Sequence, residues 1–113
     1  MLTIEKLKAF GADTETGLSR CMNNEAFYLR LVNMFLADKN TDQLAEAVEA
    51  GDLDKAFEAA HALKGVAGNL ALTPVYEPAS EVTELLRART ETDYTPYVEI
   101  LKAKRDELKA LSE

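Results

Sequence analysis

Apolar residues recur every three or four positions along most of the chain, which is the spacing of α-helices with one buried face. Capping residues, glycines and prolines divide this pattern into segments. The predicted helical segments run approximately over Thr3–Phe10, Asp13–Arg20, Glu25–Ala37, Thr41–Ala50, Leu53–Leu72, Thr73–Arg89 and Thr95–Leu111. Each of the longer segments should bury its apolar stripe against neighbouring helices.

Local signals make some of the boundaries and buried faces specific. Gly51 should end a helix, and Asn40 followed by Gln43 predicts a capping box at the start of that helix. The third segment should bury one stripe, formed by Phe27, Tyr28, Leu31, Met34 and Phe35. A proline inside a helix costs about 3 kcal/mol, so we expect a kink near Tyr76 or a helix that begins only at Pro78.

The composition supports a helical fold. The chain has 17 Ala and 16 Leu against 6 Val and 2 Ile, so helix formers outnumber strand formers among the aliphatic residues. Its 113 residues leave room for one compact domain. We therefore predict an all-α fold, an up-and-down four-helix bundle with a short N-terminal helical lid, as a single domain over residues 1–113.

The charge of the chain restricts its partners. A net charge of −7, spread along the sequence, repels phosphate backbones and anionic lipids, so a protein partner is favoured over nucleic acid or a membrane surface. The chain shows no signal-peptide pattern and no apolar run long enough for a membrane span. The single cysteine, Cys21, fits a reducing compartment. We expect a cytoplasmic monomer.

The single histidine, His61, lies in a predicted helix but outside its buried arc. At about 100° per residue, one side of this helix collects the small and apolar residues Ala56, Ala59, Ala60, Leu63, Val66, Ala67 and Leu70. The opposite region, within about 60° of His61, contains Asp54, Phe57, Glu58, Lys64, Gly65, Gly68 and Leu72, and we call it the His61 face. The imidazole is therefore predicted to face solvent.

Two glycines lie on the His61 face, where each costs the helix about 1 kcal/mol relative to alanine. Gly65 has no Cβ atom, so the space beside the imidazole is left free. Gly68 lies on the same face, about one helical turn further along. One interpretation is that both glycines give a partner protein room to approach His61. The alternative is that they allow a neighbouring helix of the same bundle to pack closely.

The chemistry of the His61 face suits an anionic group. A neutral imidazole is a nitrogen nucleophile that needs no separate base. Lys64, three residues later and over the same surface, supplies a positive charge for a group attached to the ring. The residues therefore point to a phosphoryl group on His61.

The segment around His61 resembles the signature of a known protein family. His61-Ala62-Leu63-Lys64-Gly65, followed by Gly68-Asn69-Leu70, is similar to the H-x-L-K-G segment of histidine-containing phosphotransfer domains of phosphorelay signalling. The lead-in Asp13–Phe35 is also similar, through Thr16, Gly17, Leu18, Arg20, Tyr28, Leu31 and Phe35, so that the resemblance covers about residues 13–72. Ala71 departs from the glycine that many members have there, which leaves the end of the helix open.

The resemblance implies a function as well as a fold. It implies a four-helix bundle whose His61 is phosphorylated on Nε2 and exchanges the phosphoryl group with an aspartate of a response-regulator receiver domain. Lys64 would steady the charge, and Gly65 and Gly68 would give the partner clearance. Mg²⁺ would be held by the receiver, and a sensor histidine kinase, typically a hybrid one, would supply the phosphoryl group. The chain has neither of the glycine-rich phosphate-binding motifs, so it should have no ATP site of its own.

Other functions explain the sequence less well. One histidine and one cysteine far apart in the sequence do not make a metal site, and no serine or cysteine nucleophile shares the His61 face. The main alternative is a helical adaptor that docks a protein on the His61 face without being phosphorylated. Leu72, together with the ends of the neighbouring helices that flank the His61 face, is a candidate for an apolar patch on which a receiver docks.

Overall fold

The computed structural model describes residues 1–113 and contains seven helices. They are α1 (Ile4–Phe10), α2 (Thr14–Arg20), α3 (Glu25–Leu36), α4 (Asn40–Ala50), α5 (Leu53–Asn69), α6 (Thr73–Arg87) and α7 (Thr95–Ser112). The predicted all-α class is confirmed. None of the helices combines the length and the apolar character that crossing a bilayer requires.

Four helices form a closed bundle. Helices α4, α5, α6 and α7 each pack against the next, and α7 packs back against α4. The short connections between α4 and α5 and between α5 and α6 make these neighbours antiparallel, as expected for an up-and-down bundle. Consequently α5 and α7 lie diagonally opposite each other, and one side of α5 remains free for solvent.

The core lies where the helical period of α5 predicts it. Ala56, Ala60, Leu63 and Ala67 are fully buried, and Val66 is half-buried. The small side chains allow α4 and α6 to approach α5 closely. The predicted buried arc of this helix is confirmed.

The N-terminal segment covers one end of the bundle. Asp13 caps α2 by accepting hydrogen bonds from Thr16, and its own backbone N–H donates to the carbonyl of Ala71 just beyond α5. Leu7 and Phe10 of α1 are buried in the common core. Helices α1 and α2 therefore have the position predicted for the lid.

The stripe predicted for α3 is only partly correct. Tyr28, Val32 and Phe35 are the buried residues of this helix, whereas Phe27 is 44% and Met34 is 61% exposed. The apolar residues of α3 are too many for one buried face, and the position of the rest of the bundle selects the face that includes Val32. The other face remains at the surface.

Two helix boundaries differ from the prediction, and a third decides between two predicted alternatives. The capping box is absent, because Asn40 is already helical and its N–H donates to Asp38. Helix α5 ends at Asn69 rather than Leu72, with Ala71 at a left-handed φ of 56°. Helix α6 begins at Thr73, as the segment boundaries predict, and continues through Pro78, so the alternative start at Pro78 is wrong. A kink near Tyr76 stays a prediction.

Candidate functional site

His61 is exposed on the outer side of α5. Its ring has one aromatic neighbour, Phe57, one helical turn earlier, with ring centroids 5.6 Å apart and planes tilted by 40°. No hydrogen bond or ion pair joins the imidazole to another side chain of the protein. Both ring nitrogens are therefore available to an external group.

The two glycines of the His61 face have different surroundings. A Cβ built on Gly65 meets nothing within 4 Å, so the space beside the imidazole is open. A Cβ built on Gly68 lies 3.1 and 3.2 Å from two ring carbons of Tyr76 on α6. At Gly68 the structure supports the alternative, close packing within the same bundle.

Lys64 lies between α5 and α6 and has an acidic neighbour. Its Nζ is 3.7 Å from Oε1 of Glu84, and its side chain is 27% exposed. The other oxygen of Glu84 accepts a hydrogen bond from Nε of Arg87 at 3.3 Å. The Arg87 guanidinium in turn lies 5.1 Å from the centroid of the Phe57 ring. The site thus contains two cations and one carboxylate along its α6 side.

A cleft of about 470 Å³ opens beside His61. Helix α5 contributes Lys64 and Gly65 to its walls, while α2 contributes Arg20 and α6 contributes Tyr76. Neither Arg20 nor Tyr76 was assigned to the site from the sequence, although Arg20 belongs to the lead-in that carries the family resemblance. The chemistry available here is that of an exposed nucleophile in a cleft that also contains two cations, Arg20 and Lys64, and one carboxylate, Asp13.

The end of α5 is fixed by what we call the α2–α3 junction, formed by Gly17, Tyr28 and the carbonyl of Leu70. The Tyr28 hydroxyl donates a hydrogen bond of 2.7 Å to that carbonyl, and the ring is fully buried. A Cβ on Gly17 would lie 2.4 Å from this ring. Burial, reinforced by the nearby Cys21 and Asp13, raises the pKa of Tyr28 to about 12. Because Arg20 also donates to the carbonyl of Gly68, two C-terminal carbonyls of α5 have side-chain donors.

Apolar surface near the site comes from α3 and not from Leu72. Leu72 is fully buried, because α5 ends before it, and its proposed part in a docking patch is wrong. On α3, Leu31 and Met34 line a cleft of about 370 Å³ together with Val66 and Leu70. No group of three or more His, Cys, Asp or Glu side chains is arranged to hold a metal ion.

Comparison with family models identifies the chain. A model described as the Hpt domain matches residues 30–113, a range that includes His61 and all four helices of the bundle. The lead-in before residue 30 lies outside the matched range, whereas the residues after 72 lie within it. Searches of curated proteins and of solved structures found no match. Since the matched range covers most of the sequence, the chain belongs to the Hpt domain family, the phosphoryl carriers of two-component phosphorelay signalling.

Proposed function

We propose that His61 is the phosphoryl acceptor of this domain and that it exchanges the group with an aspartate of a response-regulator receiver domain. The observation that carries this proposal is the open surface beside the imidazole: His61 is exposed, and nothing lies within 4 Å of the Cβ position of Gly65. An aspartyl phosphate held in the active site of another protein can reach the imidazole only across an open surface of this kind.

The transfer is a displacement at phosphorus. The lone pair of Nε2 attacks the phosphorus of the receiver's aspartyl phosphate, the N–P bond forms, and the bond from phosphorus to the carboxylate oxygen breaks. The aspartate leaves as a free carboxylate, and the imidazole keeps its proton on Nδ1. The reverse step returns the phosphoryl group. No other co-reactant is required, which suits a carrier that moves the group in either direction.

Lys64 is proposed to stabilise the phosphorylated state. It lies three residues after His61 on the same side of α5, and its side chain is held against α6 by Glu84. A phosphoryl group of about two negative charges would attract this ammonium by a charge-assisted hydrogen bond. The transition-state charge is proposed to be met mainly by Mg²⁺ on the receiver, since Hpt domains act as carriers.

The glycines are proposed to contribute unequally to partner binding. Gly65 leaves room beside the nucleophile, so it is the position at which a receiver would come closest to α5. Gly68 is packed against Tyr76, and its contribution to a partner would come through the surface that this ring presents. We further propose that residues 1–113 act as one domain, with a sensor histidine kinase supplying the phosphoryl group.

The proposal is tested by phosphoryl transfer from receiver domains charged with acetyl phosphate. The wild-type protein should acquire a phosphate that is labile in acid and stable in base. His61 is the single histidine, so His61→Gln should abolish this signal completely. Removing Mg²⁺ with EDTA should stop the transfer in both directions.

The same experiment separates the carrier from a docking adaptor. Binding of an unphosphorylated receiver should be retained by His61→Gln, because the substitution leaves the surrounding surface intact. A wild-type protein that binds receivers but acquires no phosphate would contradict the proposal and favour the adaptor. An acid-labile phosphate that persists in His61→Gln would show that another residue is the acceptor.

A further inference from the structure

Glu84 occupies a position that the family resemblance does not explain. It lies on α6, and its carboxylate contacts two cations at once, Lys64 through Oε1 at 3.7 Å and Arg87 through Oε2 at 3.3 Å. Its side chain is 56% exposed, so the bridge is accessible to solvent. Ion pairs of this kind are weak and readily exchange one partner for another.

Both cations bridged by Glu84 flank the proposed acceptor. Lys64 lies one turn after His61 on α5. Arg87 lies on the other side of His61, next to Phe57. Its guanidinium carbon is 5.1 Å from the centroid of the Phe57 ring, and that centroid is 5.6 Å from the centroid of the imidazole ring. A group attached to His61 would therefore have Lys64 on one side and Arg87, beyond Phe57, on the other, with Glu84 in contact with both cations.

We propose that Glu84 is a positioning residue for phosphoryl transfer. In the unmodified protein it holds Lys64 against α6. When His61 carries a phosphoryl group, the dianion competes for the same ammonium, and Lys64 moves from Glu84 to the phosphoryl oxygens. This inference rests on the proposed function of His61 and Lys64.

The charge of Glu84 has a predictable consequence for the transfer equilibrium. Its carboxylate repels the phosphoryl group and also retains the cation that would stabilise it. Both effects disfavour phosphorylated His61 relative to the phosphorylated receiver. Glu84 thus keeps the carrier ready to release the group, and its removal should make the carrier retain it.

The first test measures the equilibrium ratio of phosphorylated carrier to phosphorylated receiver. Glu84→Gln should shift this ratio towards the carrier by about two- to tenfold, as expected for one surface charge near a dianion. Glu99→Gln is the matched control, because it removes the same charge from an exposed position on α7, diagonally opposite α5. The control should shift the ratio by less than about 1.5-fold at ordinary ionic strength.

A double-mutant cycle tests whether Glu84 acts through Lys64. In a Lys64→Gln background, the shift caused by Glu84→Gln should be clearly smaller than in the wild-type background. An equal shift in the two backgrounds would overturn the positioning role, since it would show that only the net charge matters. No shift in the wild-type background would overturn it as well.

A second measurement keeps this test independent of the receiver. Phosphoramidate phosphorylates exposed imidazoles chemically, so His61 can be modified without a partner, while the ¹⁵N resonance of the Lys64 ammonium is followed by NMR. Phosphorylation should move this resonance strongly in wild-type protein and less in Glu84→Gln, where Lys64 is already free. An unchanged wild-type resonance would overturn the inference and leave the proposed function intact. If receivers transferred nothing although the resonance moved as expected, the proposed function would fail, and only the exchange of Lys64 between Glu84 and the phosphoryl group would stand.

Discussion

The α2–α3 junction and the His61 face both depend on a glycine inside a helix, yet the two glycines serve opposite purposes. At the junction, Gly17 makes room for the buried ring of Tyr28, and any side chain there would collide with it. On the His61 face, Gly65 borders empty space. The role of a glycine inside a helix therefore depends on whether a side chain from another helix lies against it.

The largest effect is expected from filling the junction. Gly17→Ala should lower the free energy of unfolding by about 3 kcal/mol, because the new methyl group lies 2.4 Å from a ring that is held by burial and by its bond to Leu70. Urea unfolding followed by circular dichroism measures this change. A stability equal to that of the wild type would show that Tyr28 can move, and the contrast with Gly65 would disappear.

The second effect is a loss of stability in alkali. The pKa of Tyr28 rises from 10.0 to about 12 on burial, so the folded state retains the phenol proton longer than the unfolded state. The corresponding stabilisation is fully present below pH 10 and is lost as the pH rises towards 12, by about 2 to 3 kcal/mol in total. Unfolding measured across this range should therefore show a steeper decline in wild type than in Tyr28→Phe. Parallel curves for the two proteins would contradict the assignment.

The third effect concerns transfer rather than stability. Gly65→Gln should slow phosphoryl transfer about tenfold, because the side chain fills the approach to His61 while leaving the nucleophile intact. The matched control is Ala103→Gln, at an exposed position on α7, which should transfer at the wild-type rate. Rapid-quench measurements with one receiver compare the three proteins. An unchanged rate for Gly65→Gln would remove the argument from clearance.

The smallest effect separates the two glycines of the His61 face. Gly65→Ala should raise the free energy of unfolding by about 1 kcal/mol, since alanine is the better helix former and the added methyl group meets nothing. Gly68→Ala should raise the free energy of unfolding clearly less, because the ring of Tyr76 has to shift by a few tenths of an ångström to admit the methyl group. Equal gains measured by urea unfolding would show that Tyr76 does not restrict Gly68.

Local pattern was sufficient for much of the fold. The helical period placed His61 opposite the buried arc of α5, and Gly51 and Asp52 marked the break before this helix. The local pattern did not specify which side chains are buried where a helix has more than one apolar face. On α3 the predicted stripe contained both Tyr28, which is buried, and Met34, which is exposed, because only the position of the neighbouring helices decides between faces.

Helix ends needed the tertiary structure for a similar reason. Helix α5 stops at Asn69, where Leu70 and Ala71 turn the chain into α6, and Ala71 adopts a left-handed conformation that favours glycine. Helix α6 continues through Pro78 because Val75, Ala79 and Val82 are buried against the bundle. Burial of these side chains offsets the free-energy cost of a proline inside a helix and of an alanine in a left-handed conformation. Helix propensities alone include those costs but not the burial that offsets them.

The helical class, the outward direction of His61 and the lysine one turn beyond it follow from the order of residues alone, because the period of an α-helix fixes the relative directions of side chains within one element. The contact between Glu84 and Lys64, and the position of Tyr76 beside Gly68, depend instead on how the helices pack. Those contacts join α5 to α6, and their register depends on how two helices pack, which no spacing within either helix specifies.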